Sequence, residues 1–355
     1  MTYILGWKTC TNVFIAADSA LHWPGPDPQE ADLPNLPTSS FGEKVVSTST
    51  DTVREAMLKL VNIDEEFIIG IAGGIKKALD VIEVFKTWTK YCNDPKEALT
   101  IAINSCGPYD KEEDLIGLIC GYMGNNNQPV LISYNHDGKK TIIGHSDFVN
   151  IGSLDSRHSG ITQKIVNTFL QKKLVDQHML VAVTSLLQSY GIFSNLMQGS
   201  VGGVFIGISL GTSGVKWQED TLYVLYDPPN FFPIMVAVRQ NILCVKSAVT
   251  KDVRTFSNYL NSPNFISSED FSLLKKKTED FFCSGRAFFY VFLSLKDRII
   301  TVVKTNNIDN KYFRIVPDGK GTFKCHLLPA LREKIFSNLD SVDDAVPFRL
   351  NWLNA

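Results

Sequence analysis

No stretch of this sequence approaches the roughly 20 consecutive apolar residues that a membrane-spanning helix requires. The longest apolar runs, such as Phe67-Ile68-Ile69-Gly70-Ile71-Ala72, are strand-sized. The start does not read as a secretory leader, and none is expected, because Lys8, Thr9, Thr11 and Asn12 interrupt the apolar residues and no basic segment precedes them. A cytoplasmic location without membrane contact is therefore expected. Neither sign of charge dominates: 35 Lys and Arg against 37 Asp and Glu leave a formal net charge of −2, which makes nucleic acid a poor main partner. The seven cysteines, Cys10, Cys92, Cys106, Cys120, Cys244, Cys283 and Cys325, are odd in number, scattered and without any CxxC pair. That pattern excludes a zinc signature and a disulfide framework, and points to reduced thiols. The histidines His22, His136, His145, His158, His178 and His326 show no metal spacing, no GxSxG elbow is present, and no cofactor is expected.

What is present is an ordinary globular composition, with 44% hydrophobic and 20% charged residues in a chain of 355. That length suits a domain with a substantial extension. Tyr3 to Trp7 and Val13 to Ala17 read as an antiparallel hairpin closed by Asp18. From Leu21 to about Met57 the prolines Pro24, Pro26, Pro28, Pro34 and Pro37 mark a surface insertion. Leu58 to Ile63 and Glu66 to Ala72 form the next strand pair, and Gly73-Gly74 leads into a helix over Ile75 to Tyr91, with a second over Lys96 to Ser105. Strands follow at Leu115 to Tyr122, Val130 to Tyr134 and Lys140 to Ile143, then helices at Gly160 to Lys173 and His178 to Tyr190, then strands at Gly202 to Leu210 and Leu222 to Tyr226. This order predicts an α/β (α+β) fold, a four-layer αββα sandwich of two antiparallel sheets between helical layers, over residues 1–227. Pro228-Pro229 opens a small C-terminal α+β region, 228–355, with strands at Ile242 to Val249, Ala287 to Leu295 and Ile299 to Lys304 and a helix around Ser268 to Phe282. It carries no chemical motif.

Chemistry concentrates at the start. Removal of Met1, which the small Thr2 side chain permits, leaves one residue with both a hydroxyl and a free α-amine. An α-amine has an ordinary pKa of about 7.7–8.0, which suits a base that activates its own hydroxyl near neutral pH. A lysine ammonium beside the pair stabilises the alkoxide and lowers the amine's pKa, and a carboxylate holds that lysine charged. Asp18 and Lys59 are the candidates for that pair, and Gly73, followed by Gly74 at a helix N-terminus, for a backbone N–H aimed at an oxyanion. Taken singly each has a plain reading, namely a turn cap, a solvated lysine and a strand-to-helix turn. Lys44 is an alternative lysine; Lys59 is preferred for the Leu60-Val61-Asn62-Ile63-Asp64 pattern that follows it.

Together, Thr2-Tyr3-Ile4-Leu5, Ala16-Ala17-Asp18-Ser19, Lys59-Leu60-Val61-Asn62-Ile63-Asp64 and Ala72-Gly73-Gly74 resemble the proteasome β-subunit and bacterial HslV-type threonine peptidases, the N-terminal nucleophile (Ntn) hydrolases. Ile151-Gly152-Ser153-Leu154 and Gln198-Gly199-Ser200-Val201-Gly202-Gly203 look like two later segments of that family, so the resemblance spans roughly residues 2–227. It implies Thr2 as nucleophile and base, Asp18 and Lys59 as charge pair, Gly73 as oxyanion donor, Ser153 as a polar neighbour of the amine, and Gln198, Ser200 and Gly74 as support. Three departures stand out: Gln198 and Val201 replace the family's Asp and Ser, the connection 21–57 is longer, and Tyr3 replaces a small residue. The resemblance further implies a peptide or protein substrate, self-assembly into an oligomer or ring, and an ATP-dependent unfoldase as a possible partner. The alternatives are a catalytically silent proteasome-like scaffold, or an Ntn amidase or peptide ligase acting on another acceptor.

Overall fold

β-branched and aromatic residues between short polar turns make most of the strands. The computed structural model describes residues 2–24, 46–47, 51–55, 57–109, 115–136, 141–172, 174, 176–194, 196, 201–227, 230–239, 241–247, 253–258, 272–273, 276–277, 287–296, 299–304, 313–317, 323–327 and 348–351. The fold is mixed α and β, with several antiparallel sheets and four α-helices among the described residues.

The hairpin of β1 (Tyr3–Lys8) and β2 (Asn12–Ala17) forms as expected, with Trp7 directly opposite Phe14 and their rings stacked at 5.2 Å. It lies at the centre of a five-stranded antiparallel sheet, flanked by β11 (Phe148–Gly152) on one side and by β12 (Ile206–Gly211) and β13 (Gly214–Trp217) on the other. A second five-stranded sheet runs in the order β10 (Thr141–His145), β9 (Pro129–His136), β8 (Ile116–Met123), β7 (Phe67–Gly73) and β6 (Leu60–Ile63). The turn joining β6 to β7 holds Asp64 and Glu65 in the left-handed region at φ 49° and 60°, the twist-matched geometry of tight hairpins.

The two sheets face each other, and their approach depends on missing side chains. A Cβ on Gly6 would lie 2.7 Å from Cγ2 of Ile119, and one on Gly121 would lie 2.7 Å from Cγ2 of Val13. Helices α1 (Ile75–Trp88) and α2 (Pro95–Cys106) pack on the second sheet, where Ala78, Ile82, Phe85, Leu99 and Ile103 join Ile69, Ile71 and Leu118 in one core. Asp94 caps α2 by accepting from Lys96 N at 2.9 Å, with Pro95 at the first helical position.

Helices α3 (Ser156–Gln171) and α4 (Asp176–Ser194) follow. Every residue of α4 from Met179 to Gly191 is buried, because this helix packs against β2 and β12 on one side and a third sheet on the other. That third sheet is seven-stranded, in the order β17 (Arg254–Ser257), β16 (Ile242–Ser247), β15 (Asn230–Arg239), β14 (Thr221–Asp227), β18 (Phe289–Ser294), β19 (Ile299–Lys304) and β22 (Phe348–Asn351). All its pairs are antiparallel except β14 with β18. Its strand residues Tyr223, Leu225, Val236, Phe289, Val291 and Val302 share one core with Leu180, Val183 and Leu187 of α4. The C-terminal strands are therefore packed directly onto a helix of the N-terminal part. A further two-stranded ribbon pairs β20 (Phe313–Pro317) with β21 (Phe323–Leu327).

The 21–57 stretch differs from a surface insertion at its described ends. β3 (Ala20–Pro24), β5 (Asp51–Glu55) and β4 (Val46–Ser47) make a small sheet, and Val53, Glu55 and Met57 are buried. The polar composition around 45–57 hides this, because Glu55 is buried through ion pairing. Lys44 and the proline-rich run 25–45 lie outside the described residues, as does most of the helix expected around Ser268 to Phe282. No helix among the described residues is long and apolar enough to cross a membrane.

Candidate active site

β1 and β2 pair so that Asp18, one residue beyond the end of β2, comes beside Thr2, one residue before the start of β1. Thr2 Oγ1 donates to Asp18 Oδ1 at 2.8 Å, and the same oxygen accepts from Tyr3 N at 3.0 Å. Lys59 stands one residue ahead of β6 and extends into the space between the two sheets. Its Nζ donates to Thr2 Oγ1 and also to Asp18 Oδ1, the latter at 2.7 Å. Lys59 is fully buried, Asp18 is 1% exposed and Thr2 3% exposed. Burial pushes the Lys59 ammonium below its ordinary pKa, and the Asp18 carboxylate opposes that shift. A buried cation bonded to both a hydroxyl and a carboxylate is costly to build, so the three groups form one unit.

The carboxylate of Asp18 is held from a second direction. Its Oδ2 accepts from Gly202 N at 3.0 Å, while Ser19 N and Ala20 N donate to Gly202 O. The loop carrying Gly202 is sutured by Gln188 of α4, whose Nε2 donates to Gly203 O and whose Oε1 accepts from Phe205 N, both at 3.0 Å. Gly203, at φ +72°, leaves the space that Ser19 Oγ occupies. Beside Asp18, Ser19 Oγ donates to Glu55 Oε1 at 2.7 Å, and Val204 N approaches both oxygens at 2.7 Å. Glu55 Oε2 in turn pairs with Arg254 Nη1 at 3.0 Å.

The other residues named from sequence are distributed as follows. Ser153 lies next to Thr2 through its backbone, donating to Thr2 O at 3.0 Å, and its side chain is exposed. Gly152 stands at φ +126°, and a Cβ there would fall 1.9 Å from Thr2 O. Gly152→Ala is accordingly expected to destabilise the fold by at least about 1–3 kcal/mol, read as a lower chemical-denaturation midpoint; an unchanged midpoint would disprove the close approach. Gly73 ends β7 at φ +81°, with its Cα hydrogen facing Leu115 O, and Gly74 N donates to that oxygen at 2.9 Å before capping α1. Ile71 N donates to Lys59 O at 3.0 Å, so the Gly73 turn follows two residues beyond the lysine's strand partner. Val201 is buried and its N donates to Leu196 O at 3.2 Å. Gln198 and Ser200 lie outside the described residues.

Sequence reasoning assigned no role to Gly202, Gln188, Ser19, Glu55 or Arg254. The Gly202-Gly203 pair was the available signal, since a backbone N–H that serves a carboxylate has no side-chain signature.

A second polar chain links the start of α3 to the end of α4. Asp155 Oδ2 bonds His158 Nδ1 at 2.6 Å, and His158 Nε2 lies 3.0 Å from Ser194 Oγ. Asp155 also caps α3 by accepting from His158 N at 2.9 Å, and the His158 ring packs on Tyr190 at 4.6 Å. Among the described residues no group of three or more His, Cys, Asp and Glu is arranged to hold a metal ion. No protein-family model matches the chain, and no curated protein matches it.

Proposed function

We propose that the chain is a threonine-type N-terminal nucleophile hydrolase, of the proteasome β-subunit and HslV kind, that cleaves a peptide or other amide bond through an ester on Thr2. The observation that carries this reading is the buried Lys59 ammonium bonded at once to Thr2 Oγ1 and Asp18 Oδ1. The stacking of α1 and α2 on one sheet, that sheet on the β1–β2 sheet, and α4 beyond it supports the αββα sandwich expected of such an enzyme. The seven-stranded sheet is then a fifth layer on α4.

In this mechanism the bond before Thr2 is first cleaved, by Met removal or autoprocessing, which frees the α-amine. The amine takes the Oγ1 proton, directly or through water, as Oγ1 attacks the substrate carbonyl carbon. Lys59, held charged by Asp18, stabilises the developing alkoxide. The Gly73 N–H, next to the α1 N-terminus, receives the oxyanion, the Gly74 N–H being engaged by Leu115 O. The proton passes to the leaving amine as the C–N bond breaks, and water then hydrolyses the ester by the same steps. A peptide or protein in the cytoplasm is the proposed substrate.

Intact-mass and peptide mapping should find Thr2 as the first residue of the mature protein and one epoxyketone or β-lactone adduct on it. Protein that retains a residue before Thr2 and takes up neither probe would remove the reading and favour a silent scaffold. A second reading rests on the Asp155–His158–Ser194 chain, which has the hydrogen-bond order of a serine hydrolase. The last turn of a helix places partial negative charge near Ser194, which opposes an oxyanion there, so Thr2 is preferred. Fluorophosphonate labelling of Ser194 that survives in Thr2→Ala would reverse that preference.

A further inference from the structure

Lys59 owes its place to a part of the chain far from it in sequence. β6 is an edge strand, so the segment leading into it has a sheet neighbour on one side alone, where Lys59 O accepts from Ile71 N. In extended chain the flanking residues turn their backbone groups to the opposite edge. That edge is occupied by the end of β17: Leu58 N donates to Ser257 O at 3.4 Å, and the fully buried Asn258 donates from Nδ2 to Leu60 O at 3.0 Å. The residues immediately before and after Lys59 are thus both bonded to the C-terminal sheet. At the other end of β17, Arg254 pairs with Glu55, whose other oxygen gathers Ser19 and Val204 on either side of the Asp18–Gly202 contact.

We infer that residues 254–258 act as a clamp built into the same chain, with Arg254 and Asn258 as positioning residues that set Lys59 and Asp18 against Thr2. The inference rests on the reading of Thr2 as the nucleophile. It gives the C-terminal sheet a task inside the reaction centre, as the wall that fixes one edge of the lysine's strand. The charged groups gathered about Thr2 among the described residues are Lys59 and Asp18, with Glu55 and Arg254 directly beyond them.

The full-length chain carrying Asn258→Ser or Arg254→Gln is the test, with the rate of β-lactone labelling at Thr2 followed from pH 5 to 10. Labelling is expected to fall about 10–100-fold, the scale of a displacement of about 1 Å at a reacting group. Its acid limb should move to higher pH, because an amine that loses the nearby ammonium regains a higher pKa. Arg254→Lys, which keeps a cation for Glu55, should restore most of the rate and the wild-type limb. A purely structural role would lower the thermal midpoint and the labelled fraction together while leaving the limb in place, and that result overturns the clamp. So does wild-type labelling in both loss variants. If Asn258→Ser does not fold, the Arg254 pair of variants decides alone. Absence of Thr2 labelling in the wild-type chain is the separate outcome that removes the nucleophile reading itself, and the clamp with it.

Discussion

Lys59→Met is expected to abolish covalent labelling of Thr2 and to cost the fold about 3–5 kcal/mol, the range seen when one partner of a buried ion pair is removed. Methionine fits the stem of the lysine, so the loss would come from charge and hydrogen bonding. Asp18 would keep the N–H groups of Tyr3 and Gly202 and the Thr2 hydroxyl but lose the Lys59 cation, at 1% exposure. Urea denaturation of the two proteins side by side measures the cost, and a difference below about 1 kcal/mol, the level of exposed pairs, would contradict a working buried pair. The pH dependence has a definite sign. The folded chain holds the Lys59 proton less tightly than the unfolded chain, whose lysine titrates near 10.5, because burial dominates its surroundings. The unfolded state therefore binds more protons in the window below 10.5, and stability from this group rises with pH there. The stability gap between wild type and Lys59→Met should widen as pH climbs through the alkaline range. A gap that narrows would mean that Asp18 outweighs burial.

Thr2→Ala should show the opposite balance, with a large effect on chemistry and a smaller one on the fold. Amide hydrolysis is expected to fall by at least about 10⁴-fold, as when the nucleophile of a mutually dependent catalytic set is removed. Stability should change by about 1–3 kcal/mol, since the hydroxyl's bonds to Asp18 and from Lys59 are lost while Lys59 and Asp18 keep each other. Thr2→Ser, which retains the hydroxyl, should keep measurable activity. Steady-state hydrolysis of a fluorogenic amide panel by the three proteins checks both values. Equal activity in wild type and Thr2→Ala would end the threonine mechanism.

The core of the site was legible because its parts sit where strands end. Thr2 precedes β1, Asp18 follows β2 and Lys59 precedes β6, so the short apolar runs marked the strand ends, while the choice of these three residues rested on their joint order and on the resemblance it carries. The helices were legible for the same reason, and α1 to α4 lie within a few residues of the expected ranges. What escaped was long-range or carried by the backbone. Arg254 meets Glu55 across 199 residues and Asn258 meets Leu60 across 198, distances over which no local pattern operates. β15 was missed because Pro228-Pro229 read as the opening of a new region and Pro233 interrupts the run that follows. Pro233 is in fact tolerated opposite Val224, just outside the described register between β15 and β16. Glu55 looked like a solvated residue of an insertion because its buried partners come from three distant segments.

The helix buried on both of its broad sides also sets a timetable. Thr2 and Asp18 are synthesised well before the strands that cover the far side of α4 and before the segment that grips Lys59. Until those strands arrive, α4 has an apolar side without a cover and Lys59 has a free edge. On the proposed reading, a nascent chain carries Thr2 long before it carries the segment that sets Lys59 against it, and competence waits for residues 254–258.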